Sequence, residues 1–163
     1  MKLAPRILFA LGAIVPIVLV GVGVVLTLFY NVPACPLCIL QRMLYLAIAL
    51  ASGLGLAFVS RNAARVVAAL FTLALAASGA VIAGYQIYLQ RHPFVATCGD
   101  GAAWWERMVE QAGQWLPAIF KAEGICSDNA WSLFGLSIPE LSLLAFCGLF
   151  ILGIPALFYR QPR

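Results

Sequence analysis

Residues Ile7 to Gln41 read ILFALGAIVPIVLVGVGVVLTLFYNVPACPLCILQ and carry no charge. The apolar part runs to about Tyr30, longer than the roughly 20 residues a helix needs to cross about 30 Å of hydrocarbon. Three further stretches are uncharged: Met43 to Ser60, Val66 to Gln90 and Leu141 to Tyr159. Composition agrees: 64% of the 163 residues are apolar and 10% charged, against about 25% charged in a soluble domain. A soluble chain this small could not enclose so much apolar surface in one core. A soluble enzyme is thereby excluded, and so is a disordered chain, which needs low hydrophobicity and high charge. The reading is an all-α membrane protein, a four-transmembrane-helix bundle forming a single integral membrane domain over 1–163. Its spans are expected at about 7–30, 43–60, 66–90 and 141–159. Two outer loops are expected at about 31–38 and 91–131, the longer one carrying a short amphipathic interfacial helix.

The net charge of +4 does not indicate nucleic-acid binding, because the basic residues are scattered singly without a cluster or stripe. They fit a membrane topology instead. Lys2 and Arg6 precede the first span, Arg61 and Arg65 lie in the tight link between the second and third, and Arg160 and Arg163 follow the fourth. The other side carries Arg91, Arg107 and Lys121 together with Asp100, Glu106, Glu110, Glu123 and Asp128. Lys and Arg concentrate on the cytoplasmic side of membrane proteins, which puts both termini of this multi-pass chain in the cytoplasm. Lys2 and Arg6 also resemble the n-region of a cleaved signal, but the apolar run exceeds the usual 7–15 residues. A retained first span is therefore expected.

Small residues crowd the spans: Ala76, Ala77, Gly79, Ala80, Ala83 and Gly84 in the third, Ser52, Gly53 and Gly55 in the second. Close helix packing in lipid uses such residues. In the long loop Trp104, Met108, Ala112, Trp115 and Ile119 recur at steps of three or four, the period of one helix face. That ring-rich face suits the membrane surface, where Trp is enriched; the alternative is packing on the bundle. Ser137-Ile138-Pro139-Glu140 has capping-box spacing and opens the fourth span.

Of five cysteines, Cys35, Cys38, Cys98 and Cys126 fall on the outer side and Cys147 inside the fourth span. Four outer thiols indicate an oxidising compartment such as a bacterial periplasm. Zinc is disfavoured: Cys35 and Cys38 have C-x-x-C spacing, but Cys98 and Cys126 form no second tight pair and His92 stands alone. A Cys98–Cys126 bond would close the long loop and, as a plain staple, contribute about 3–4 kcal/mol by chain entropy. Cys35–Cys38 closes almost no loop, so stability is a poor reason for it, and C-x-x-C pairs are commonly redox-active. The pair opens the second span, where the helix dipole favours a thiolate, and Pro36 suits a first turn. Arg42, four residues after Cys38 and seven after Cys35, shares their face. It is read as stabilising a Cys38 thiolate rather than as a side chain snorkelling to headgroups. No haem, dinucleotide or iron–sulfur motif is present. By elimination the electron acceptor at this depth is a lipid-soluble quinone.

These residues in this order are similar to a known family. Cys-Pro-Leu-Cys at 35–38 opens the second span and Arg42 follows within Cys38-Ile39-Leu40-Gln41-Arg42. Then come Phe94-Val95-Ala96-Thr97-Cys98, Gly124-Ile125-Cys126 and Trp131-Ser132-Leu133-Phe134-Gly135-Leu136. Over nearly its whole length the chain resembles the DsbB family of bacterial inner-membrane, quinone-dependent thiol oxidases. These reoxidise the periplasmic thioredoxin-fold oxidase DsbA. The resemblance implies that Cys98 and Cys126 form the disulfide attacked by reduced DsbA, with Cys98 making the mixed disulfide. It implies an interloop intermediate between Cys35 and Cys126, a Cys38 that faces the quinone in a charge-transfer adduct, and Arg42 as the quinone-site arginine. The quinone would be ubiquinone or menaquinone, and the quinol would leave through the bilayer to the respiratory chain. DsbA is a strong oxidant at about −120 mV, and the DsbA–DsbB–quinone route is the established way a periplasm is kept oxidising. Other readings are a tetraspan scaffold with purely structural disulfides, or a family paralogue serving another thioredoxin-fold partner. The chain departs from the family pattern at Gln41, where an acid is expected. A third-span histidine has its nearest match at Gln86, with His92 further along, and no proton-transfer role is assigned to either. Cys147 matches no motif and is read as an inert small hydrophobe in a packed helix.

Overall fold

A computed structural model of the chain describes residues 3–92, 104–128 and 131–158. Lys2, the Phe94–Cys98 stretch with Cys98 itself, Asp100, Tyr159, Arg160 and Arg163 lie outside the described residues. In chain order the elements are α1 (Leu3–Phe29), α2 (Pro36–Ala57), α3 (Asn62–Arg91), α4 (Trp104–Trp115), α5 (Pro117–Phe120), β1 (Ser132–Leu133), β2 (Leu136–Ser137) and α6 (Ile138–Phe158). Helices α1, α2, α3 and α6 are long and apolar enough to cross a membrane. They close a ring in which α1 packs on α2, α2 on α3, α3 on α6 and α6 back on α1. This is a four-helix membrane bundle.

All four long helices begin earlier than the uncharged stretches do. The second starts at Pro36 rather than near Met43, because Arg42 is buried and hydrogen-bonded inside the bundle instead of marking its edge. The third starts at Asn62 and takes Arg65 into its first turns, where the side chain is only 3% exposed. Arg65 is thus a buried residue of the helix end, not a solvated link residue, and its Nε and Nη1 have no partner among the described residues. The fourth starts at Ile138, where the Glu140 carboxylate accepts from the backbone N–H (2.8 Å) and the hydroxyl (3.1 Å) of Ser137. Arg91 at the end of α3 reaches the same carboxylate at 3.2 Å.

The core is built on small residues. Ala76, Gly79 and Ala83 form a buried stripe on α3, and a Cβ on Gly79 would collide with the Phe146 ring of α6. Phe146 is fully buried and stacks on Tyr45 of α2 at 4.2 Å and 3°. Tyr45 in turn bonds the Ser142 hydroxyl at 2.8 Å. Outward faces are apolar, with Ile14, Ile17, Val18, Val67, Phe71 and Val81 exposed as lipid would require. Cys147 belongs to that outward surface; it lies on the lipid-facing side of its helix rather than packed within the bundle.

Phe9, Val59, Ala69 and Ala156 cluster at one end of the bundle, and Cys35, Leu37, Leu89 and Cys126 at the other. The second end is capped by α4, α5 and the hairpin. Helix α4 buries Val109 and part of Trp105 against Ala34 and Ile39. The ring-bearing positions Trp104 and Trp115 point away, 74% and 81% exposed. Ile119 does not extend that face, because the chain turns at Leu116–Pro117 and Ile119 belongs to α5.

Candidate active site

Cys35 is the N-cap of α2 in extended conformation, and its sulfur accepts from the Cys38 backbone N–H at 3.3 Å. Pro36 occupies the first helical position, where a missing N–H costs nothing. One turn of helix then brings the Cys35 and Cys38 sulfurs to 2.9 Å, the Cys35 thiol donating. Cys126 packs against Cys35 from the long loop, whose Glu123 and Gly124 N–H groups both donate to Ala34 O, at 2.9 and 3.0 Å. Contact with Cys126, contact with Cys38 and burial together push the Cys35 thiol well above its ordinary range.

Arg42 sits one turn further along the same face and is 8% exposed. Its Nη1 donates to Ile119 O of α5 at 2.8 Å, and its Nη2 to Gly23 O at 2.7 Å and Thr27 Oγ1 at 2.8 Å, both on α1. It does not snorkel: it ties three elements together. Three of its N–H groups are thus engaged, and a guanidinium has five.

The donors nearest the sulfurs come instead from α3. Gln86, 2% exposed, donates from Nε2 to Cys35 Sγ at 3.2 Å and to Cys38 Sγ at 3.1 Å. Its Oε1 accepts from Gln41 Nε2 at 2.8 Å. Sequence reading gave neither amide a role. The signal available was two carboxamides in otherwise apolar spans, which need partners in lipid.

Two cavities meet at Cys38. One of about 360 Å³ lies between α1, α2, α6 and the hairpin, lined mainly by apolar side chains, with Cys38, Arg42 and Tyr45 in its wall and Trp131 and Leu133 over it. The other, about 170 Å³, is reached by Cys35, Cys38, Gln86, Glu123 and Asp128. Cys38 lines both. Of the expected site residues, Cys35, Cys38, Cys126 and Arg42 are gathered at this end of the bundle; Cys98 lies outside the described residues. No group of three or more metal-ligating side chains occurs among the described residues.

Fold and site define a class: a four-helix membrane protein presenting a vicinal cysteine pair at the mouth of one helix, beside an apolar cavity. Residues 5–156 match the family model for disulfide bond formation protein DsbB. Curated relatives named disulfide bond formation protein B are similar over most of their length. That of Methylobacillus flagellatus is 35% identical over 157 residues, covering 94% of this chain and 93% of the relative. That of Dechloromonas aromatica is 36% identical over 148 residues, covering 89% and 87%. That of Herminiimonas arsenicoxydans is 37% identical over 146 residues, covering 90% of each. The chain belongs to the DsbB family and is a membrane protein of disulfide bond formation.

Proposed function

We propose that the protein is a quinone-dependent thiol oxidase of the bacterial inner membrane that reoxidises a DsbA-like periplasmic thioredoxin-fold protein. The observation that carries this reading is the position of Cys38, on the wall shared by the sulfur cluster and the apolar cavity. Both termini lie in the cytoplasm, and the sulfur end of the bundle faces the periplasm. The whole chain, 1–163, is one integral membrane domain, with α4 lying at the outer membrane surface on its exposed Trp104 and Trp115.

The reduced partner's thiolate attacks the Cys98–Cys126 disulfide at Cys98 and frees Cys126. Once the partner's second thiol displaces Cys98 and leaves the partner oxidised, Cys98 attacks Cys126 in the interloop disulfide formed next, restoring Cys98–Cys126 and releasing Cys35. The Cys126 sulfur, packed on Cys35, attacks the Cys35–Cys38 disulfide at Cys35 and releases Cys38 as a thiolate. Cys38 is held toward the cavity by the first turn of α2, whose dipole favours negative sulfur. The cavity fits a quinone: its volume of about 360 Å³ lies in the range of small-ligand sites. Its walls are apolar, and Arg42 has N–H groups left over to meet a ring oxygen. A quinone bound there, ubiquinone or menaquinone, supplies a two-electron acceptor whose product returns to the respiratory chain through lipid. In net terms the partner's dithiol becomes a disulfide and gives up two electrons and two protons.

Purified protein, reduced DsbA-like partner and quinone, followed by quinone absorbance, tests this. Turnover should vanish in Cys38→Ser and fall steeply in Arg42→Ala. Unchanged turnover in both refutes the site. A Cys126→Ser variant should accumulate a mixed disulfide with the partner in cells; absence of any adduct would favour a scaffold with structural disulfides.

A further inference from the structure

Gln86 has no assigned part in this chemistry, yet it makes the shortest side-chain amide contacts to the reacting sulfurs. Its Nε2 carries two hydrogens and faces two sulfurs, at 3.2 Å and 3.1 Å. Its orientation is not free. The Gln41 Nε2 donates to its Oε1 at 2.8 Å, so the reversed amide would set N–H against N–H there and turn an oxygen toward sulfur. Both side chains are almost fully buried, 2% and 4% exposed. A buried amide without partners is costly, and the described partners of the Gln86 amide are the two sulfurs and Gln41.

We propose that the Gln86 carboxamide holds the Cys35 and Cys38 sulfurs together and stabilises the anionic sulfur set free whenever their disulfide opens, with Gln41 as the positioning residue that keeps the Gln86 N–H groups aimed at sulfur. A disulfide sulfur is a weak acceptor, whereas a thiolate takes a charge-assisted bond roughly twice as strong as a neutral one. The amide therefore favours the reduced pair over the oxidised one and makes it a better oxidant, as stabilisation of the reduced form does in strongly oxidising dithiol proteins. It does so without a charge of its own, so the donor stays in place across the whole pH range. The argument rests on Cys35–Cys38 being the redox pair of the proposed function.

The test equilibrates full-length wild type, Gln86→Met, Gln41→Met and the double variant in graded thiol–disulfide buffers. Mass mapping reads the Cys35–Cys38 oxidised fraction, and alkylation reads the Cys38 rate against pH. Gln86→Met keeps the side-chain length and loses the donor. Its dithiol–disulfide equilibrium should move about tenfold toward disulfide, which is about 30 mV for a two-electron couple. Cys38 alkylation at neutral pH should slow about tenfold and recover at higher pH, a signature that altered packing alone would not give. Gln41→Met, which leaves Gln86 in place and so stands independently, should shift both readouts in the same direction by less. The double variant should match Gln86→Met, because Gln41 acts only through Gln86. Gln86→Glu keeps the acceptor for Gln41 but brings a carboxylate to the sulfurs and should shift the equilibrium at least as far. Wild-type potential and pH dependence in both single variants, or additive effects in the double, would overturn the proposal. Quinone turnover by the wild type is a separate readout: if it is absent while the variants still shift, the quinone reading falls and the amide assignment stands.

Discussion

At the scale of single residues, the site rests on a division of labour between two neighbouring sulfurs. Cys35 is the thiol that donates and Cys38 the sulfur that receives, and Cys35 is held protonated by its sulfur neighbours and by burial. The sign of the pH effect follows. In the unfolded chain Cys35 titrates near its ordinary value of 9.0; the folded, reduced protein keeps that proton to higher pH. Stability contributed by Cys35 is therefore full below pH 9 and is lost as pH rises beyond it, at about 1.4 kcal/mol per pH unit for one proton. Thermal unfolding of the dithiol form in detergent should fall with pH above 9, and the Cys35–Cys38 disulfide form should lack that component. Arg42 offers a second test at this scale. Removing it leaves Ile119 O of α5 without the Arg42 donor, while Gly23 O keeps the Thr27 hydroxyl; a buried unpaired group costs about 1–3 kcal/mol. Arg42→Ala should lower the unfolding midpoint and raise the KM for quinone at least tenfold. Arg42→Lys, a point charge without the fork needed to reach both walls, should recover only part of either.

At the scale of elements, helix seats and one turn carry the strain and the tolerance. Gly79 lets Phe146 lie against α3, and Phe146 carries Tyr45, which lines the cavity. Gly79→Ala should therefore cost about 1–3 kcal/mol by overpacking, read as denaturant unfolding in detergent, and pairing it with Phe146→Leu should restore part of the loss. The hairpin β1–β2 turns through Phe134 and Gly135, both at positive φ (52° and 81°), as a two-residue turn between strands requires. Phenylalanine is strained there, and its ring is 96% exposed. Phe134→Asn should gain about 1 kcal/mol in the same measurement, since asparagine accepts the left-handed region.

The same elements show what could be read in advance. Four apolar stretches announce four helices, because a continuous apolar run of that length satisfies its own backbone in lipid as a helix. The uncharged run from Met43 understates α2, which begins at Pro36, because Arg42 finds its partners on α1 and α5, far away in sequence. The thiol pair and its arginine were legible because they sit on one helix face at fixed spacing. The Gln41–Gln86 clamp was not, because it joins two spans and no local period marks it. The hairpin at 132–137 was hidden for a different reason: a positive-φ phenylalanine contradicts the usual turn chemistry.

At the scale of the whole molecule, the sulfurs and the Arg61–Arg65 link lie at opposite ends of the bundle. Arg6, Arg61 and Arg65 belong to the end where Phe9, Val59, Ala69 and Ala156 meet, while the sulfurs lie at the end covered by α4, α5 and the hairpin. With the Arg61–Arg65 end held inside, the proposed thiol exchange would take place on the outer face, beside the apolar cavity that Cys38 lines. The orientation is testable without reference to activity. Ser60 is exposed at the basic end, and Phe134 is exposed at the sulfur end. In intact spheroplasts a membrane-impermeant maleimide should label Phe134→Cys beyond the parent chain and leave Ser60→Cys at the parent's level. Permeabilisation should then bring Ser60→Cys to full labelling. The reverse pattern would put the Cys35–Cys38 pair in the reducing cytosol, where glutathione opposes the disulfide the proposed reaction must generate, and the proposed oxidase function would fall with it.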